Sequence, residues 1–180
     1  MIECGNGPMA SFAALPSPSR LLVIAAFALL ATTSAAADLA PPELSFGGGI
    51  ELDAVVSQSG DFNRTDLQQS GSFGLATVGQ VGADNRANVT QSGSFNLLSA
   101  SQVGTNNAAW LSQSGNFNAG TLIQDGQDNA ARVTQIGNRN LALIGQFGNG
   151  NSAEITQQAT NASAVIQQYG DRNFASVIQH

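Results

Sequence analysis

The chain has 180 residues, a formal net charge of −6 and only 10% charged side chains, with no lysine and one histidine, His180. That balance excludes nucleic acid as a partner, which would need a basic patch. The sole cysteine, Cys4, lies in a leading segment read below as removed, so neither a disulfide nor a lipidated cysteine is expected in the mature chain.

The first segment reads as an export signal. Arg20 precedes the apolar run 21–31, and Ala35-Ala36-Ala37 offers an A-x-A cleavage site before Asp38. The run is too short to span a membrane, so residues 1–37 are expected to be a signal peptide, with no membrane span in the mature chain. Both Met1 and Met9 fit as translation starts. Residues 38–51 carry Pro41, Pro42 and Gly47-Gly48-Gly49 and read as a flexible leader.

From residue 52 to the end a fixed period takes over. Glutamine recurs every eleven residues at Gln58, Gln69, Gln80, Gln91, Gln102, Gln113, Gln124, Gln135, Gln146, Gln157, Gln168 and Gln179. Glycine follows two places later in ten of the first eleven units, Ala159 being the exception. Three places further on stands asparagine, at Asn63, Asn85, Asn96, Asn107, Asn118, Asn129, Asn140, Asn151 and Asn173. Self-similarity of this kind marks a repeat architecture. An eleven-residue period also suits a right-handed coiled coil, but a glycine in every unit would cost a helix about 1 kcal/mol each.

Alternation within the unit fits a strand. Asn, Ala, an aliphatic residue and Gln sit two apart, on one face of an extended segment. The aliphatic position is Val, Leu or Ile in eleven of twelve units. In the remaining unit Ala100 occupies it, and Leu98 stands where other units mostly have Ala, a swap that conserves interior volume. The opposite face repeats every 22 residues instead. Arg64, Arg86 and Arg132 mark one kind of unit, and Leu75, Leu97 and Leu141 the other. Corners agree, with Phe73, Phe95 and Phe117 recurring at 22.

These periods predict an all-β, two-sheet β-solenoid with an amyloid-like stack. Each 22-residue turn is two strands and two four-residue corners, and the domain covers residues 52–180. Strands would lie about 4.8 Å above their counterparts one turn earlier. Buried Gln and Asn would then form columns whose amides bond up and down the stack, as in cross-β ladders. A solenoid has an unpaired strand at each end. The last unit keeps the full pattern with only His180 after it, so the expectation is that uncapped ends continue one another head to tail into a fibre.

Catalysis finds little support, because the repeat body holds no Lys, Cys or His before His180 to act as base or nucleophile. No catalytic, metal or cofactor site is expected, and the aspartates of calcium-binding nonapeptide repeats are absent. An ice-binding solenoid is the rival reading. It needs flat outward Thr rows, and the one row present, Thr90, Ser112, Thr134 and Thr156, is flanked by Asn88, Trp110, Arg132 and Glu154.

The unit resembles the curlin repeat of curli amyloid subunits, S-x5-Q-x-G-x-x-N-x-A-x3-Q. Gln80-x-Gly82-x-x-Asn85-x-Ala87-x3-Gln91 and Gln124-x-Gly126-x-x-Asn129-x-Ala131-x3-Gln135 carry the likeness. Gly74 and Ala162 replace Asn, and the opening Ser is not regular. The resemblance implies a secreted structural subunit of extracellular fibres on the bacterial cell surface, used in adhesion and biofilm. It also implies a homopolymer, a sister curlin subunit and a curli-type secretion apparatus that recognises the leader. The regular last unit resembles that of major subunits, while the short leader leaves a nucleator as the alternative.

Overall fold

The computed structural model describes residues 45–47, for their backbone, and 52–180. The expected signal peptide and most of the expected leader lie outside the described residues. Thirteen strands follow in order: β1 (Ser45–Gly47), β2 (Asp53–Ser59), β3 (Arg64–Ser72), β4 (Leu75–Ala83), β5 (Arg86–Ser94), β6 (Leu97–Thr105), β7 (Ala108–Asn116), β8 (Ala119–Gln127), β9 (Ala130–Asn138), β10 (Leu141–Asn149), β11 (Ser152–Thr160), β12 (Ser163–Tyr169) and β13 (Phe174–Gln179). No helix occurs among the described residues.

Odd and even strands separate into two sheets. One runs β1-β3-β5-β7-β9-β11-β13, the other β2-β4-β6-β8-β10-β12, and every pair is parallel. From β2 to β13 the register is 22 residues throughout, so that Gln80 pairs with Gln102 and Val89 with Leu111. The chain therefore winds through six turns of a two-sheet β-solenoid. Each strand alternates between a buried and a more exposed face, as in the pattern of β5, where Ala87, Val89 and Gln91 are buried and Arg86, Asn88 and Thr90 exposed. Stacked inward rows of Ala and of Val, Leu or Ile form one continuous core between the sheets.

The irregular layer is accommodated in an instructive way. Leu98 and Ala100 are both fully buried, so the large and small positions have exchanged. Directly next to Leu98 in the sheet lies Gly120, where a Cβ would come within 2.8 Å of Leu98 Cδ2. The volume exchange thus spans two layers. Gly120 vacates the small column where Leu98 leans into it.

Corners are tighter than the sequence suggests. From β3 to β12 pairing runs on through the glycine position, and only two residues per corner, such as Phe73 and Gly74, fall outside the ladder; the first and last corners, 60–63 and 170–173, keep four. Gly71 has a φ of +116°, and a Cβ there would collide with the carbonyl of Gly93 in the next layer. Glycine is thus required by stacking as well as by conformation. Ala159 in this column has no such φ, and β13 above it pairs only as far as Gln157, so no described strand stacks on its corner. A second left-handed residue comes two places after the glycine, and it is mostly not glycine: Phe62, Phe73, Asp84, Phe95, Asn106, Phe117, Asp128, Arg139, Asn161 and Arg172 have φ between 53° and 61°. Left-handed backbone costs an ordinary L-residue roughly 1–2 kcal/mol. Layer-to-layer bonds hold it in place, as when Phe95 N–H donates to Ser72 O and Asp84 N–H to Asp61 O, each at 3.0 Å.

This packing makes a testable exchange. Leu98→Ala should destabilise the subunit by about 2–5 kcal/mol, because Gly120 and Ala100 cannot fill the hole. Adding Ala100→Leu should return part of that loss, as read by denaturant unfolding. A double variant no more stable than the single one would contradict the volume account.

Candidate functional site: the stacked amide columns

Two glutamine columns run the length of the solenoid. In the even sheet Gln58 donates through Nε2 to Gln80 Oε1 (2.6 Å), and the relay continues through Gln102, Gln124 and Gln146 to Gln168 at 2.7–2.9 Å. In the odd sheet it passes from Gln69 through Gln91, Gln113, Gln135 and Gln157 to Gln179 at 2.6–3.2 Å. The second Nε2 hydrogen crosses to the facing sheet. Gln102 donates to Arg86 O and Gln124 to Ala108 O, both at 3.1 Å. Each interior glutamine therefore ties its own sheet along the axis and the two sheets to each other.

Asparagine runs its side-chain relay the other way, as when Asn107 Nδ2 donates to Asn85 Oδ1 at 3.0 Å, and adds contacts to the backbone. Its Oδ1 accepts the backbone N–H of the asparagine one turn later, and its Nδ2 donates to the corner carbonyl of that layer. Asn85 Oδ1 takes Asn107 N–H at 3.1 Å, and Asn85 Nδ2 reaches Gly104 O at 2.9 Å. The backbone leaves the ladder at that residue, so the side chain below meets an otherwise orphaned amide. Asn63, Asn85, Asn107, Asn129, Asn151 and Asn173 form one such column. Asn96, Asn118 and Asn140 form the other, which continues onto Ala162 N–H. Gly74 stands below Asn96 and has no side chain to offer it.

Most of these amides are fully buried, the more exposed being those of the end layers: Gln58, Gln179, Asn63 and Asn173. Thr65 was not singled out from the sequence. It takes the small inward position of the first layer and bridges Gln58 Nε2 (3.2 Å) and Gln80 Oε1 (3.0 Å). At one corner Phe73, Phe95 and Phe117 stack with centroids 4.8 and 4.9 Å apart, and Arg139 lies over the last ring at 5.9 Å. Phe147 and Tyr169 stack at 5.1 Å, and Arg132 lies over Trp110 at 5.4 Å. Those last two pairs sit on outward faces, where spacing alone does not separate contact from exposure.

The glutamine relay has a direction. Every Nε2 points toward the C-terminal layers, so that end presents the donors of Gln168 and Gln179, and the other end the acceptors of Gln58 and Gln69. Among the described residues no cluster of His, Cys, Asp and Glu could hold a metal ion, and no helix is long and apolar enough to cross a membrane. The chemistry on offer is hydrogen bonding along an axis.

Fold and columns together define the class: a parallel two-sheet β-solenoid whose core is laddered by amides. The family model described as the Curlin associated repeat matches residues 60–93, 104–137 and 126–158, and the chain belongs to that curlin-repeat family. It is a family of structural amyloid subunits and not of enzymes. No curated protein matches the chain.

Donor and acceptor roles within a column can be separated by mutation. Asn107 Nδ2 donates to Gly126 O at 2.9 Å and its Oδ1 accepts Asn129 N–H at 3.1 Å. Asn107→Ala loses these together with the side-chain bonds to Asn85 and Asn129 and should cost about 1–3 kcal/mol. Asn107→Asp keeps the acceptor but turns a buried anionic oxygen toward a carbonyl, and should cost more at neutral pH. Burial raises the folded-state pKa of that carboxyl. The extra penalty is therefore complete above the raised value, shrinks as pH falls through it, and is gone below about 3.9. Unfolding midpoints of the two variants across pH check this. An Asp variant as stable as wild type at pH 7 would contradict the assigned roles.

Proposed function

We propose that the mature chain is a structural subunit of extracellular curli-type amyloid fibres, joining head to tail on the bacterial cell surface in adhesion and biofilm matrix. The observation that carries this reading is the complementarity of the two ends. Continuing the 22-residue register into a second copy lays its Gln58 on Gln168 and its Gln69 on Gln179. Donors meet acceptors, and β12 and β13, each paired on one side only among the described residues, gain the missing strand. A contact of this kind does not close on itself and propagates.

The major-subunit role is favoured over the nucleator because the last unit keeps the full repeat through Gln179. A sister curlin subunit and a curli-type secretion apparatus are the proposed partners, with residues 1–37 removed on export. An ice-binding role gains nothing from the fold. The register stacks Thr90, Ser112, Thr134 and Thr156 in one row, but Trp110, Arg132 and Glu154 stand in the next.

Purified residues 38–180 should assemble without a sister subunit into fibres that bind thioflavin T. Their diffraction should show a meridional spacing of about 4.8 Å. Six layers at that spacing give one subunit per roughly 29 Å of fibre, which mass-per-length microscopy reads directly. A chain that stays monomeric at high concentration would overturn the fibre reading. One that seeds a sister subunit yet does not grow alone would make it the nucleator. The chain recovered outside the cell should begin at Asp38 by mass spectrometry; secreted material retaining residues 21–31 would contradict the export step.

A further inference from the structure

Among the described residues, the N-terminal edge of the solenoid is occupied on one sheet and open on the other. β1 pairs in parallel with β3, Ser45 opposite Gln68, Phe46 opposite Gln69 and Gly47 opposite Ser70. β2, beginning the other sheet, has no strand on its outer side among the described residues. β1 is also out of phase with the repeat. One full turn before Gln69 is residue 47, yet Phe46 is its partner. The glutamine column therefore gains no amide from β1, and Gln69 Oε1 is buried and accepts no hydrogen bond. Every later glutamine of that column accepts one from its predecessor.

We infer that β1 is a self-plug, occupying the edge of β3 that β13 of a second copy must take, so that each junction forms by strand displacement. This rests on the head-to-tail reading above. In the continued register β13 of the incoming copy lays Ile178 on Gln68 and Gln179 on Gln69, the same backbone that β1 holds. The two occupants are mutually exclusive. They are also unequal. β1 offers three paired residues and no amide, whereas β13 offers six, the number it pairs with β11, and brings Gln179 Nε2 to the unpartnered Gln69 Oε1. Asn173 Oδ1 would meanwhile take Asn63 N–H, the bond that the rest of that column makes. The open edge of β2 supplies the first foothold. β12 (Ser163–Tyr169) of one copy matches Asp53–Ser59 of the next residue for residue, so docking begins there and β1 is peeled off afterwards. The plug slows addition between isolated subunits without removing the drive toward the fibre.

The test uses the full exported chain, residues 38–180. Gly47 and Ser70 are directly opposed, at a separation that suits a disulfide between neighbouring strands, and the exported chain has no cysteine of its own. In the Gly47→Cys/Ser70→Cys variant the oxidised form should halt growth on preformed wild-type seeds after at most one addition per fibre end. Reduction of the same sample should restore growth. In Phe46→Pro/Gly47→Pro, successive N–H groups of a strand point to opposite sides, so one substitution removes a donor aimed at β3. Elongation should quicken about fivefold, the worth of one net hydrogen bond. Equal growth of oxidised and reduced forms, or an unchanged rate with both prolines, overturns the plug while leaving the fibre reading intact. Absence of fibres from wild type and reduced variant alike overturns both.

Discussion

A buried primary amide has two donors and an acceptor, and in this core the neighbouring layers, the facing sheet and the corner carbonyls meet them. Leaving one such group unpaired costs about 1–3 kcal/mol, and the solenoid buries seventeen Gln and Asn side chains. A slip of one residue in any strand would break the columns on both sides of it and turn the aliphatic row outward. The invariant 22-residue register follows from this constraint, and so does the absence of insertions between Gln58 and Gln179. Hydrophobic burial supplies much of the cohesion, but Ala, Val, Leu and Ile tolerate exchange, as Leu98, Ala100 and Gly120 do. The amides do not, and they fix where each layer must sit.

Direction is the second consequence. Glutamine passes its donor toward the C-terminal layers, while asparagine passes its acceptor the same way and receives a backbone N–H in return. The two ends of the subunit are therefore chemically different and fit each other. In the proposed fibre a junction between copies is one more layer of the same ladder. Growth and folding then draw on the same interactions, except that a junction must first clear β1 from β3.

Much of this was legible in the residues because a strict period converts spacing into position. Val78 and Gln80 must share a face if Val89 and Gln91 do, and Phe73 must lie under Phe95 once the outward pattern repeats at 22. The legible part ends where structure depends on contact between layers instead of on period. Gly120 looks like one more small residue until it is seen beside Leu98. Asp84, Asn106 and Asp128 are residue types that tolerate a left-handed backbone, but Phe73 and Arg139 at the equivalent corners give no such signal. Arg139 is held by its N–H bond to Asn116 O in the layer below, and Phe73 stacks on the ring of Phe95. Asparagine and glutamine look alike in sequence. Only the chain's departure from the ladder at Asn107 lets the asparagine below accept a backbone N–H as well as the next side-chain amide. β1 was the least legible, since Ser45-Phe46-Gly47 carries no trace of the repeat.

In the proposed fibre one amide ladder runs through subunit and junction alike, so copies touch through their end layers and nowhere else along the columns. Fibres grown from an equal mixture of chains carrying 15N-glutamine and chains carrying 13C-glutamine test it by solid-state NMR. Nitrogen–carbon contacts between side-chain amides of different copies should be few, arising from Gln168 with Gln58 and Gln179 with Gln69. They should vanish in fibres of a Gln168→Ala/Gln179→Ala variant. Flat chains stacked in register would instead bring every glutamine against its own counterpart in the next copy. Strong intermolecular contacts that survive the double substitution would contradict the solenoid ladder as the basis of assembly.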